Sequence, residues 1–115
     1  MTSMGDDEIA GHVKAAVAYY PSRYIMAHAR FPLLILLGDR DHETIYDNTP
    51  TSCAKSVQQN KASHQIRLSV LENATHGFDY YYDAVPWKGG VLDRNEKATE
   101  DALKQTRKFL EQHLN

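Results

Sequence analysis

The hydrophobic pattern changes period along the chain, and each change marks an element. From Pro32 to Leu37 the sequence PLLILL is almost continuously apolar and stops at Gly38. A run this short, closed by proline and glycine, predicts a strand buried on both faces, as in a parallel sheet. Val13 to Tyr20, VKAAVAYY, is a second apolar segment and ends at Pro21. Its valines and tyrosines favour a strand, although its alanines also admit a helix. Ile66 to Leu71, IRLSVL, alternates instead, with Ile66, Leu68 and Val70 on one side and Arg67 and Ser69 on the other. One wet face predicts a strand near the edge of the same sheet.

Two segments have helical period. Thr49 before Pro50 reads as an N-cap with proline at the first helical position, and the following turns place Cys53, Ala54 and Val57 on one face. Asp93 with Glu96 three residues later resembles a capping box. Beyond it, Ala98, Ala102, Thr106, Phe109, Leu110 and Leu114 form an apolar stripe. The predicted order is strand, strand, helix, strand, long loop, helix. That order indicates an α/β architecture with a short parallel sheet of about three strands and flanking helices.

No repeat or linker divides residues 1–115, which are expected to form a single domain. Two helices can hardly cover both faces of a strand as apolar as Pro32–Leu37, and three strands leave two edges. Part of a larger sheet is the expectation, with a homo-oligomer, most simply a two-fold dimer, covering the exposed surface.

Composition narrows the partners. Thirteen basic and 15 acidic residues give a net charge of -2, which argues against a nucleic-acid partner or an anionic membrane surface. The start, MTSMGDDEIAGHVK, contains no apolar stretch of signal-peptide length, and the longest apolar run, Phe31 to Leu37, cannot span a bilayer. The single cysteine, Cys53, cannot form an intrachain disulfide, so a cytoplasmic protein is expected.

Ligands and catalytic groups of open parallel sheets gather beyond the carboxyl ends of the strands. Two segments leave strands carrying suitable residues: Gly38-Asp39-Arg40-Asp41-His42-Glu43-Thr44 and Glu72-Asn73-Ala74-Thr75-His76-Gly77-Phe78-Asp79. An acid beyond one strand and a histidine beyond the next can converge, with the carboxylate holding the tautomer of an imidazole that acts as base. The same residues have plainer uses. Asp39 suits a turn, Asp41 could cap one, and His76 could be an exposed loop histidine. Cys53 on an apolar helix face suits an inert buried thiol. His42 beside Asp41 has no further metal ligand at suitable spacing, so no metal site is expected.

These segments carry a resemblance. LLILLGDRDHET resembles the acid loop of α/β-hydrolases, an apolar strand followed by Gly-x-x-Asp. VLENATHGFD resembles the histidine loop of the dienelactone hydrolase family. VKAAVAYYP and ATEDALKQTRKFLEQHL are similar to that family's strand after the nucleophile helix and to its closing helix. The resemblance covers about Val13 to Asn115 and implies a partial α/β-hydrolase fold, the C-terminal portion of such a protein. It implies Asp41 as triad acid, His76 as general base, a small ester or lactone as substrate, and no cofactor.

The family's nucleophile, a serine or cysteine in Gly-x-Ser/Cys-x-Gly, has no matching pentapeptide anywhere in this sequence. Ser3-Met4-Gly5 supplies only the tail of one, and Ser3 is the candidate it offers. The aromatic run after the histidine loop offers Phe78, Tyr80 and Trp87 as pocket-lining residues, or as cover for a core edge. A hydrolase is one expectation. A truncated, non-catalytic α/β module that self-associates or complements a second chain is the other.

Overall fold

The computed structural model describes residues 13–41, 49–80 and 92–114, and the backbone of 85–87 and 90–91. Three parallel strands form the main sheet: β1 (Ala16–Tyr19), β2 (Leu33–Gly38) and β3 (Ile66–Leu71), in the order β1-β2-β3. The register runs Ala16 to Leu33 through Tyr19 to Leu36 on one side, and Leu33 to Ile66 through Gly38 to Leu71 on the other.

The uninterrupted apolar run of β2 reflects its position. All six of its residues are buried, and its side chains alternate between two separate cores. Leu33, Ile35 and Leu37 pack with Met26 and Ala29 from the α1 region and Cys53 from α2, where α1 is Arg23–His28 and α2 is Pro50–Gln58. Leu34 and Leu36 pack with Phe78 and with Ala98, Ala102 and Phe109 of α3 (Glu96–Leu114).

The cover that two helices could not provide therefore comes from three. Helix α1 escaped the sequence pattern because its six residues show no period and bury only Met26. It is held to α2 by Asn60, whose buried side chain donates to the carbonyls of Met26 and Ala29 and accepts from the N–H of Ala62. Helix α2 begins as predicted, with Pro50 at its first position and Thr49 accepting from the N–H of Ser52.

Three other expectations are corrected. Helix α3 is capped by Asn95, which accepts from the N–H of Ala98 at 2.9 Å, and not by Asp93. Asp93 is clamped one turn earlier by paired backbone hydrogen bonds with the hydroxyl of Thr75, while Glu96 pairs with Arg94. The stretch expected as one long loop contains an antiparallel pair, β4 (Val85–Trp87) and β5 (Gly90–Leu92). Pro86 within β4 hides that strand from sequence patterning. Finally, Ile66 and Leu68 join the core that contains Cys53 of α2, but Val70 is 44% exposed and belongs to neither core.

Candidate active site

The two post-strand loops are brought together by a glycine. A Cβ at Gly38 would lie 2.1 Å from the carbonyl oxygen of Ala74, so a side chain there would push the loops apart. With hydrogen in its place, the N–H of Asp39 donates to the carbonyl of Leu71 and that of Arg40 to the carbonyl of Ala74, each at 2.9 Å. The Arg40 side chain adds a bond to Asn73 Oδ1 at 3.3 Å. The loop after β2 is thus laid across the loop after β3.

Asp41 and His76 meet as a result. His76 Nδ1 and Asp41 Oδ2 are 2.9 Å apart; the Asp41 side chain is fully buried and that of His76 is 25% exposed. A carboxylate can only accept a hydrogen bond, so Nδ1 carries the hydrogen and the basic lone pair sits on Nε2. Asp41 Oδ1 is buried with no hydrogen-bond donor among the described residues. The backbone turns away at once after His76, where Gly77 adopts φ 73°, a left-handed conformation that glycine takes without strain.

Tyr20, at the carboxyl end of β1, forms a wall of the site. Its ring lies against the imidazole with centroids 4.3 Å apart, and its hydroxyl donates to Asp79 Oδ1. Burial, and then the acceptor Asp79, push the phenol well above the ordinary tyrosine range, so it remains a hydrogen-bond donor. Arg94 fixes the Asp79 segment by donating to the Asp79 carbonyl at 2.8 Å while its other nitrogens pair with Glu96.

The remaining sequence candidates are dispersed. Phe78 is fully buried in the α3-side core, stacked on Tyr19 at 5.8 Å. It supports the site from behind and cannot line a pocket, which corrects the expectation for that residue. Tyr80 is exposed, with its ring 6.5 Å from that of Tyr20. Trp87 lies on β4, with its side chain outside the described residues, as are Ser3 and His42. Cys53 is buried on α2 in the core of the opposite face. Asp39 is exposed and takes part in the turn through its backbone. Among the described residues no three His, Cys, Asp or Glu side chains gather as metal ligands.

Sequence reasoning missed Tyr20, Asp79 and Arg94. The signal for Tyr20 was present: it leaves the third strand of the same sheet, at the same end as Asp41 and His76. Asp79 also stands in the histidine loop, three residues after His76, but no pattern links it to a tyrosine 59 residues earlier.

A parallel sheet with helices on both faces is the layered arrangement of an α/β-hydrolase-like fold. Comparison with protein families matches the dienelactone hydrolase family over residues 6–114, and the chain belongs to that family. No curated protein matches it. No helix among the described residues is long and apolar enough to cross a membrane.

Proposed function

We propose that the protein is a hydrolase of the dienelactone hydrolase type acting on a small ester or lactone, with Asp41 and His76 as its acid–base pair. The observation that carries this is the 2.9 Å hydrogen bond between a fully buried carboxylate and a partly exposed imidazole at the carboxyl ends of adjacent strands. Asp41 holds the imidazole with its hydrogen on Nδ1. Nε2 then accepts the proton of an attacking hydroxyl, thiol or water, and Asp41 stabilises the imidazolium that forms. As the tetrahedral intermediate collapses, the imidazolium returns that proton to the leaving group; where the nucleophile is a hydroxyl or thiol, the imidazole then takes a proton from the water that hydrolyses the acyl-enzyme.

The nucleophile is proposed to come from outside the described residues, with Ser3 as the candidate within the chain. Tyr80 and Trp87 are proposed to contact the acyl or lactone group. A cytoplasmic location suits a chain whose single cysteine is buried.

Stopped-flow hydrolysis of a chromogenic acetate ester tests this function. We expect slow turnover without a stoichiometric burst, lost on His76→Ala. Turnover unchanged by His76→Ala excludes the imidazole as the base. A full burst abolished by Ser3→Ala identifies Ser3 as the nucleophile.

A second function is favoured by the sheet itself. Among the described residues β1 and β3 are both edges, and the four residues of β1 are only half-buried. An edge of this kind suits pairing with a second copy of the chain or with a complementing chain.

A further inference from the structure

Tyr20 occupies a conformation that a bulky residue adopts only when its surroundings impose it. Its φ is 39°, in the left-handed region, where a Cβ crowds the backbone. The surroundings that impose it can be named. The N–H of Tyr20 donates to the carbonyl of Leu36 at 2.8 Å, which carries the β1–β2 pairing one residue past the strand. One side of the ring packs on Phe78 at 5.7 Å and meets Tyr19 edge-on at 6.3 Å. The hydroxyl is tied to Asp79, and the Asp79 segment is tied to the start of α3 through Arg94. What this construction presents to the site is an aromatic surface 4.3 Å from the imidazole, tilted by 37°.

We propose that Tyr20 is a positioning residue for His76, its ring clamped by Asp79 so that it backs the imidazole and keeps Nδ1 on Asp41. The role presupposes His76 as the general base. The hydrogen bond at Nδ1 fixes one point of the imidazole, and a surface against the ring restricts rocking about that contact. The same surface favours the charged form of the base. An aromatic face within about 6 Å attracts a cation, so the contact strengthens as His76 takes up the proton. The hydroxyl donates to a carboxylate, which leaves electron density in the ring and makes its face a better partner for the imidazolium. Tyr20 itself transfers no proton, because its phenol is held in the protonated form.

The test uses the full chain with nitrogen-15-labelled histidine. The imidazole nitrogen resonances report the tautomer of His76 directly, without substrate. Wild-type protein is expected to show one tautomer, with the hydrogen on Nδ1. Tyr20→Leu is expected to give a mixture of tautomers, and Tyr20→Phe, which keeps the ring and loses only the clamp, to restore most of the single form. In ester turnover the Leu variant is expected to lose about two- to fivefold in kcat, the size of an aromatic–cation contact, with KM unchanged.

A wild-type imidazole spectrum in Tyr20→Leu overturns the proposal. Should that variant fail to fold, Asp79→Ala decides it, since it alters one half-buried side chain and releases the clamp. It is expected to show, like Tyr20→Phe, a minor second tautomer beside the main one, and the absence of any second tautomer overturns the proposal equally. Loss of the base function is separate and visible on its own, as turnover that survives His76→Ala whatever the tautomer.

Discussion

Asp41 and His76 are partners of unequal exposure: the carboxylate is fully buried and the imidazole above it is a quarter exposed, with 2.9 Å between Oδ2 and Nδ1. The inequality has a chemical consequence. The acid is shielded from water and holds its hydrogen bond at little dielectric loss, while the imidazole keeps one side toward the surface where a substrate can arrive. Neither residue could be placed this way by its own loop. Gly38 and Leu71 are register partners at the ends of β2 and β3, so the two loops start level and Asp41 needs only three residues to reach the histidine.

Asp41→Asn is expected to abolish the His76-dependent part of ester turnover about as completely as His76→Ala does. The amide nitrogen of asparagine donates where the carboxylate accepted, so Nδ1 must give up its hydrogen and Nε2 must carry it. In the proposed mechanism the base is then blocked at Nε2, the nitrogen that would take the nucleophile's proton. In serine proteases the same exchange costs about 10⁴ in kcat. The imidazole nitrogen spectrum would show the hydrogen moved to Nε2, and retention of the Nδ1 form with normal turnover would contradict the assigned tautomer.

Gly38→Ala is expected to destabilise the protein by about 3 kcal/mol or more. A Cβ placed 2.1 Å from a backbone oxygen cannot be accommodated by a rotamer change, so the strand end or the Ala74 segment must move. Urea unfolding measures the loss. Because the same contact aligns the two loops, any folded fraction is expected to show a weakened Asp41–His76 hydrogen bond in its imidazole spectrum.

The alkaline stability of the protein is expected to depend on Tyr20. Its phenol is raised above the ordinary value near 10, so the folded state holds this proton more tightly than the unfolded state does. Below about pH 10 both states carry the proton and stability is unaffected. Above it the unfolded chain ionises first, binds fewer protons than the native state, and stability falls as pH rises. Urea midpoints compared between pH 9 and 11 are expected to fall more steeply for wild type than for Tyr20→Phe. Parallel curves would show that Tyr20 is not protected.

The sheet was legible where one physical cause determined the pattern. PLLILL is buried on both faces, so its composition alone marks β2, and Thr49-Pro50 marks the start of α2 through a local backbone requirement. Val70 shows the limit, since alternation places it with Ile66 and Leu68, whereas its exposure depends on what other elements lie over that end of the strand. The site divides in the same way. Asp41 and His76 follow from strand ends and loop motifs, which are local in sequence. Tyr20 and Asp79 are joined by a hydrogen bond between residues 59 apart, and Asn95 caps α3 while the backbone of Asp93 is held by Thr75, 18 residues earlier. Such long-range contacts leave no trace in periodicity.

Self-association is the remaining expectation, and the strand edges state where it should occur. The N–H of Ala16 donates inward to the carbonyl of Pro32. In a parallel strand successive residues direct their backbone groups to opposite sides, so those of Val17 and Tyr19 face outward from β1. Outward groups on a half-buried strand invite a partner strand, and two-fold pairing of identical edges is the simplest closed arrangement. Light scattering at micromolar concentration is expected to give twice the 13.1 kDa of the chain. A monomer mass across the accessible range would refute the pairing. A dimer whose amide exchange leaves Val17 and Tyr19 unprotected would locate the contact elsewhere, away from β1.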